Sequence, residues 1–266
     1  NMEVFMSFNI TIIGLGLIGG SLAKALRHKS SDYVITAIDN SEATIKAALK
    51  DGIINYGYSY ISNQIKDSDF VFVSTPVDIA FDNIKECAKY IKKSCIVTDL
   101  CSTKSTLMQR IEDEIKDINF IGDHPMAGSE KSGYINSDRS LFENAYCIIT
   151  TAKNTTKQSI EALIELVRLV GAIPLIIDAK QHDLAVAAIS HLPHVVAACL
   201  VNLLIEDKDN IKSQLAAGGF KDITRIASSN PDMWESICLS NKDALLILIE
   251  KYINSLKQFS DYLSNN

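Results

Sequence analysis

The chain has 266 residues, 47% apolar and 22% charged, with 12 Gly and 5 Pro. This is the composition of a soluble globular protein long enough for one large domain or two ordinary ones. A net charge of −6 at pH 7 excludes a general nucleic-acid or anionic-membrane surface, so an anionic ligand must be gripped by a few local cations. Cys87, Cys95, Cys101, Cys147, Cys199 and Cys238 form no C-x-x-C pair and no metal-ligand spacing. Residues 1–8 lack the basic and apolar regions of a signal peptide, and the run 10–23, with four glycines, is too short to span a bilayer. The expectation is a cytoplasmic protein with reduced thiols, no metal, and no nucleic-acid or membrane partner.

Residues 9–13 are short, β-branched and uncharged, as in a parallel strand buried on both faces. Gly14, Gly16 and Gly19 then fall on the G-x-G-x-x-G spacing: a tight turn, a close approach to pyrophosphate, and a close helix–strand contact. A helix starting near Leu17 and Ile18 offers free N–H groups and its positive end to that anion. The next apolar run, 33–38, stops at Asp39, 20 residues past Gly19. A carboxylate there takes the ribose hydroxyls of NAD and repels the 2′-phosphate of NADP. The cofactor read from these residues is NAD.

A helix over 41–50 closes at Gly52, and a loop rich in Tyr, Ser and Asn follows. The third strand, 70–74, ends at Thr75-Pro76, so Ser74, Thr75 and Pro76 join the cofactor-lining set. Helix 79–92 leads to strand 95–98, which ends at Asp99, and residues 100–104 open a helix to about 115. Strand 119–122 runs into Asp123-His124-Pro125-Met126-Ala127-Gly128. Strand 145–150, helix 156–170 and strand 173–177 complete an alternation that predicts a parallel, doubly wound sheet. Asp39, Thr75, Ser102 and His124 all sit at or just past a strand's C-terminal end, where such sheets bind ligands.

The pattern changes after Asp178. Residues 179–205 read as a helix apolar almost all round, with a stripe of Leu184, Ala188, Leu192, Val195, Cys199 and Leu203 and a kink at Pro193. A polar break at 206–210 follows. Asn230-Pro231-Asp232 starts one helix, and a last helix starts at 240–243 with Leu245, Leu248, Tyr252, Leu256 and Phe259 on one face. The expected organisation is an NAD-binding Rossmann domain over 1–178 and an all-helical substrate-binding and dimerisation domain over 179–266. The helical half carries more apolar surface than it can hide, which predicts a homodimer.

His124, at a strand end beside the cofactor, is placed to accept a hydroxyl proton as hydride leaves the same carbon. Ser102 is the natural second contact to that hydroxyl, and equally a helix N-cap. His191 and His194, three apart, share a helical face, but no carboxylate or thiolate is spaced to complete a metal site. Arg225, in the segment 218–225, is the best carboxylate grip in the helical half, and Trp234 reads as core or interface.

These motifs together resemble the prephenate dehydrogenase (TyrA) family of tyrosine biosynthesis. They are G-L-G-L-I-G-G-S at 14–21, D-L-C-S-T-K at 99–104, G-D-H-P-M-A-G-S-E-K-S-G at 122–133, H-D at 182–183, S-H-L-P-H at 190–194 and G-G-F-K-D-I-T-R-I-A at 218–227. The resemblance implies oxidative decarboxylation of prephenate with NAD to 4-hydroxyphenylpyruvate. It implies that His124 takes the ring-hydroxyl proton with Ser102 assisting, that Arg225 binds a substrate carboxylate, and that His194 lies at the pyruvyl side chain. It further implies that Trp234 approaches the partner's site and that Glu130 clusters with Asp222 and Arg225. Position 101, often Gly in the family, is Cys101 here, which bears on the shape of the loop beside Ser102. Two other readings stay open: arogenate as the substrate, and a catalytically silent NAD(H)-sensing dimer.

Overall fold

The computed structural model describes residues 7–153, 155–205 and 211–265 and divides into two compact units, Asn1–His182 and Asp183–Asn266. The expected polar break at 206–210 lies outside the described residues.

The first unit alternates strand and helix: β1 (Asn9–Ile13), α1 (Leu17–Lys29), β2 (Val34–Ile38), α2 (Glu42–Lys50), β3 (Tyr56–Tyr58), β4 (Phe70–Val73), α3 (Val77–Cys87), β5 (Ile96–Asp99), α4 (Ser105–Glu114), β6 (Phe120–Pro125), β7 (Tyr146–Thr151), α5 (Lys157–Leu169) and β8 (Ile173–Ile176). The sheet order is β3-β2-β1-β4-β5-β6-β7-β8. The chain therefore reverses direction between β1 and β4, the crevice where a doubly wound sheet takes its nucleotide. Strands β4 and β5 are buried at every position and β1 at all but its first. Their apolar runs, not an alternating pattern, are what a sheet covered on both faces requires. One face carries a core of Leu22, Leu26, Phe70, Phe72, Leu163 and Leu166, the other a core of Val71, Val73, Phe81, Ile84, Leu107 and Ile111.

Two features of the sheet differ from the sequence expectation. β7 runs antiparallel to β6, with His124 opposite Ile148, so the sheet is mostly rather than wholly parallel. The connection 126–145 holds only a short 3₁₀ turn at Tyr134–Asn136, so no crossover helix returns the chain to the other end of the sheet. Residues 56–58, expected as loop, form edge strand β3 on β2.

The second unit is helical. α6 (Ala179–Val186) leads into a π-helical segment, Ala187–His191, then α7 (Leu192–Ile205), α8 (Ile211–Leu215), α9 (Gly218–Thr224), a 3₁₀ turn at Arg225–Ser228, α10 (Pro231–Ser240) and α11 (Lys242–Ser264). The expected kink at Pro193 takes the form of that π segment. Pro193 has no N–H for the carbonyl four residues back and crowds it, and the helix widens just ahead of the ring. Asn230 caps α10 by accepting from the Met233 N–H at 2.9 Å. Leu184, Leu203, Leu246, Ile247, Leu256 and Phe259 each remain more than half exposed. Residues Ala179–Leu204 are long and apolar enough to cross a membrane by length and composition alone, and 28% of their most apolar stretch is buried inside the chain.

Candidate active site

The glycine turn is built around positions where a side chain does not fit. Gly14 has φ +89°, and a Cβ there would lie 2.7 Å from the Ser74 carbonyl oxygen. A Cβ on Gly19 would lie 2.0 Å from the Gly14 carbonyl oxygen, which lets α1 rise directly off the turn. At Gly16 the same construction meets nothing within 4 Å. The turn is therefore tight underneath and open above, and α1 starts with no side-chain cap and no acid in its first turn. The N–H groups at Leu17 and Ile18 face that opening with the helix dipole behind them, which fits a pyrophosphate. Ser74 packs behind both glycines, Thr75 Oγ1 accepts from Asn83 Nδ2 at 3.1 Å, and Pro76 precedes α3.

Asp39, half-buried, directly follows β2. Its carboxylate accepts from the N–H of Leu15 at 2.7 Å and of Ser41 at 2.8 Å. The residue expected to read the ribose thus also ties the glycine turn to the start of α2. An ionised carboxylate with remaining lone pairs suits two ribose hydroxyls and opposes a phosphate.

His124, half-buried, is the penultimate residue of β6. Its Nδ1 lies 2.7 Å from Nε2 of His182, with the rings nearly perpendicular at 80°. His182 is 1% exposed and is fixed by its own N–H to the Asp178 carbonyl at 2.9 Å. Between two neutral imidazoles one nitrogen donates and the other accepts. When Nδ1–H of His124 donates, the lone pair on its Nε2 is left to take a proton, the tautomer a general base needs. Sequence reasoning singled out His124 and quoted His182 only within a motif, because a contact across 58 residues has no local signature.

Ser102 is half-buried on the loop after β5, the strand beside β6. It does not cap α4, whose N-cap position is Lys104. Asp99 and Lys104 form a wholly buried ion pair, and Asp99 also accepts the Cys101 N–H at 3.0 Å, so the loop is clamped at both ends. Cys101 is not among the described non-glycine residues with positive φ, which are Asp117 and Asn144. The loop therefore accepts a side chain there. Burial pushes the Cys101 thiol well above its usual range, which keeps it protonated. Glu130 is exposed on the loop after β6.

In the helical unit, His194 on the first turn of α7 stacks flat on Trp234, with ring centres 3.5 Å apart and planes within 3°. Burial holds His194 below the usual imidazole range, against a smaller upward pull from the Ile226 backbone. A neutral ring follows. Its Nδ1 and the indole Nε1 are buried without a hydrogen-bond partner, so each remains available to a ligand group. His191 accepts from Asn241 Nδ2 at 3.2 Å, and the same amide donates to the Asp183 carbonyl at 2.7 Å. The two histidines therefore serve different partners, and no group of three metal-ligating side chains occurs among the described residues. Arg225 opens the 3₁₀ turn and is exposed, as is Asp222 on the preceding turn.

Known proteins give these features a family. The profile described as prephenate dehydrogenase, nucleotide-binding domain, matches residues 22–175, and that of the prephenate dehydrogenase dimerization domain matches 178–266. A prephenate dehydrogenase of Bacillus subtilis is 37% identical over 262 residues, 97% of this chain and 71% of that one. The crystal structure of Aquifex aeolicus prephenate dehydrogenase in complex with hydroxyphenyl propionate and NAD+ superposes with a TM-score of 0.92. It is 33% identical and covers 99% of this chain and 93% of that one. The structure of Synechocystis arogenate dehydrogenase has a TM-score of 0.82 at 27% identity, covering 97% and 92%. The chain belongs to the prephenate dehydrogenase family and is, by that membership, an oxidoreductase.

Proposed function

We propose that the chain catalyses the NAD-dependent oxidative decarboxylation of prephenate to 4-hydroxyphenylpyruvate in the cytoplasm, as a step of tyrosine biosynthesis. NAD, when bound, supplies the acceptor for the hydride that leaves the carbinol carbon. His124 accepts the ring-hydroxyl proton as that hydride departs, with Ser102 holding the hydroxyl. The electron pair of the breaking carbon–carboxylate bond then flows through the ring to the oxygen, which recovers its proton from His124 and leaves as a phenol. Atoms and charge balance with CO2 and NADH as the other products. Arg225 binds a substrate carboxylate, His194 lies at the pyruvyl side chain, Trp234 approaches the partner's site, and Glu130 and Asp222 act electrostatically beside Arg225. The observation that carries the reading is the 2.7 Å contact between His124 and His182 at the strand end, which supports an imidazole held in one orientation by its neighbour.

The test is NADH absorbance with NAD plus prephenate, then with arogenate. Turnover of prephenate is expected. Turnover of arogenate alone would make arogenate the substrate, and NADH binding without turnover of either would leave a sensing dimer. The open turn at Gly16 and the ligation of Asp39 give a second expectation: Asp39→Ala weakens NAD by roughly tenfold or more, and NADP much less. Equal losses in a fluorescence titration would mean the ribose is read elsewhere.

We also propose a homodimer made through the C-terminal helices. The exposed apolar faces of α7 and α11 support it, and lipid is a poor alternative cover. The run 179–204 holds His182, Asp183, His191 and His194, which are costly at membrane depth. Replacing Leu256 and Phe259 by Glu is expected to yield monomers in sedimentation; a persisting dimer would exclude that face.

A further inference from the structure

The motif G-L-G-L-I-G-G-S ends in two residues that the nucleotide fingerprint does not use, Gly20 and Ser21. Both are buried, and both meet the loop that leaves His124 at the end of β6 and returns to β7. Gly20 lets that loop approach α1 closely: a Cβ there would lie 2.9 Å from Ser137 Oγ and from Cδ2 of Tyr134. Ser21 Oγ accepts the Asp138 N–H at 2.9 Å. One turn on, Lys24 donates to the Ser137 carbonyl at 2.9 Å and sits over the Tyr134 ring, 4.5 Å from its centre. The buried Tyr134 in turn donates its hydroxyl to Asp51, at the end of α2, at 3.1 Å. Residues four apart share one side of a helix, so Gly20, Ser21 and Lys24 form a single seat for Tyr134, Ser137 and Asp138. Directly ahead of the seated residues, 128–133 are exposed, and Gly133 turns the chain at φ +82°. The exposed stretch, with Glu130 and Lys131 on it, is thus pinned by β6 at one end and by α1 at the other.

We infer that Gly20, Ser21 and Lys24 are positioning residues that hold the loop 128–133 ready for substrate. The N–H groups proposed to take the pyrophosphate open α1, and the seat lies on the flank of the same helix. One rigid element therefore carries the nucleotide at its start and fixes the root of the loop, so the loop is placed with respect to the nucleotide and not by β6 alone. Without the seat the loop would have to be ordered by the substrate itself, which weakens binding. The base and the nucleotide turn stay where they are, so the chemical step is spared. This inference rests on the reading of Glu130 as a group that acts at the substrate's carboxylate end.

The test is Gly20→Ala in the full chain. Alanine suits a helix better than glycine does, so if position 20 mattered only to α1, the variant would keep its KM. Displacing the Tyr134 ring is instead expected to raise KM for prephenate by about fivefold or more, the worth of one lost hydrogen bond. Turnover number and NADH affinity should stay within about twofold of the parent. Lys131 reports on the loop without any turnover. Trypsin cleavage of the folded protein after Lys131, followed by mass spectrometry, is expected to accelerate by about fivefold or more, with cleavage elsewhere unchanged. Lys24→Met keeps the stem over Tyr134 but removes the ammonium; it should shift both readouts in the same direction, and it decides the matter should Gly20→Ala not fold. Cleavage at the parental rate overturns the proposal. So does faster cleavage with an unchanged KM, which would make the seat structural only. A parent that turns over no prephenate would sink the assigned reaction, while the cleavage rate would still decide whether α1 holds the loop.

Discussion

His124→Asn is expected to lower turnover of prephenate by about 10²–10⁴-fold, the usual worth of a positioned general base, while NAD affinity stays within about twofold of the parent. The expectation follows from where each function sits. The proposed cofactor cradle is Gly14, Gly16, Gly19 and Asp39 at the ends of β1 and β2, and Asp39 is bonded to Leu15 and Ser41, not to any part of β6. His124 lies three strands from β1 in the sheet, beyond β4 and β5. An asparagine amide can still donate to His182 Nε2, so the local packing survives, but the amide has no basic nitrogen. The loss should therefore fall on kcat, with a NADH fluorescence titration unchanged. A variant that binds NADH poorly would show that His124 supports the nucleotide instead, and turnover within a few fold of the parent would mean that another group takes the proton. His182 gives an internal control: replacing it frees His124 to adopt either tautomer, so its loss should be partial and rescued by an acceptor such as Gln.

How much of this was legible in the sequence depends on whether a residue's partners are local. The strands β1, β4 and β5 were readable because a strand covered on both faces must be a short apolar run, and Ile10–Ile13 and Phe70–Val73 are such runs. The glycine turn and Asp39 were readable because their spacing is fixed by one strand–turn–helix–strand unit. Tyr56-Gly57-Tyr58 was not, since an edge strand bonded only to β2 needs no buried pattern, and both its tyrosines are exposed. The direction of β7 was hidden for a different reason: strand composition does not encode orientation, and only the lack of a crossover helix in 126–145 decides it. Pro193 announced a distortion but not its form. His182, Ser21 and Lys104 acquire their roles from neighbours 58, 117 and 5 residues away. Only the last of these lies within reach of local reasoning, and nothing in D-L-C-S-T-K says that its lysine is wholly buried.

That burial gives the largest stability effect expected of a single substitution here. Lys104→Met should destabilise the nucleotide-binding unit by about 3–5 kcal/mol, because it leaves the Asp99 charge in a site with no water to solvate it. Both side chains of the pair are 0% exposed. Asp99 Oδ1 already lacks a hydrogen-bond partner, so the remaining carboxylate has little with which to replace the ammonium. The methionine itself fits, since Lys104 Cδ already packs close to Gly122 and Met108 is a neighbour there; the cost is electrostatic, not steric. At that magnitude the unfolding midpoint should drop by roughly 10 °C. The double variant Asp99→Asn with Lys104→Met removes both charges and should recover most of the loss, as buried pairs replaced together usually do. Asp99 also holds the Cys101 N–H, an acceptor role that asparagine keeps through its carbonyl oxygen. The double variant should therefore retain the loop carrying Ser102 and much of the activity that the single variant loses. A single variant that melts within about 2 °C of the parent would show that Asp99 is not held as an anion by Lys104, and that the loop beside the proposed base is fixed by other contacts.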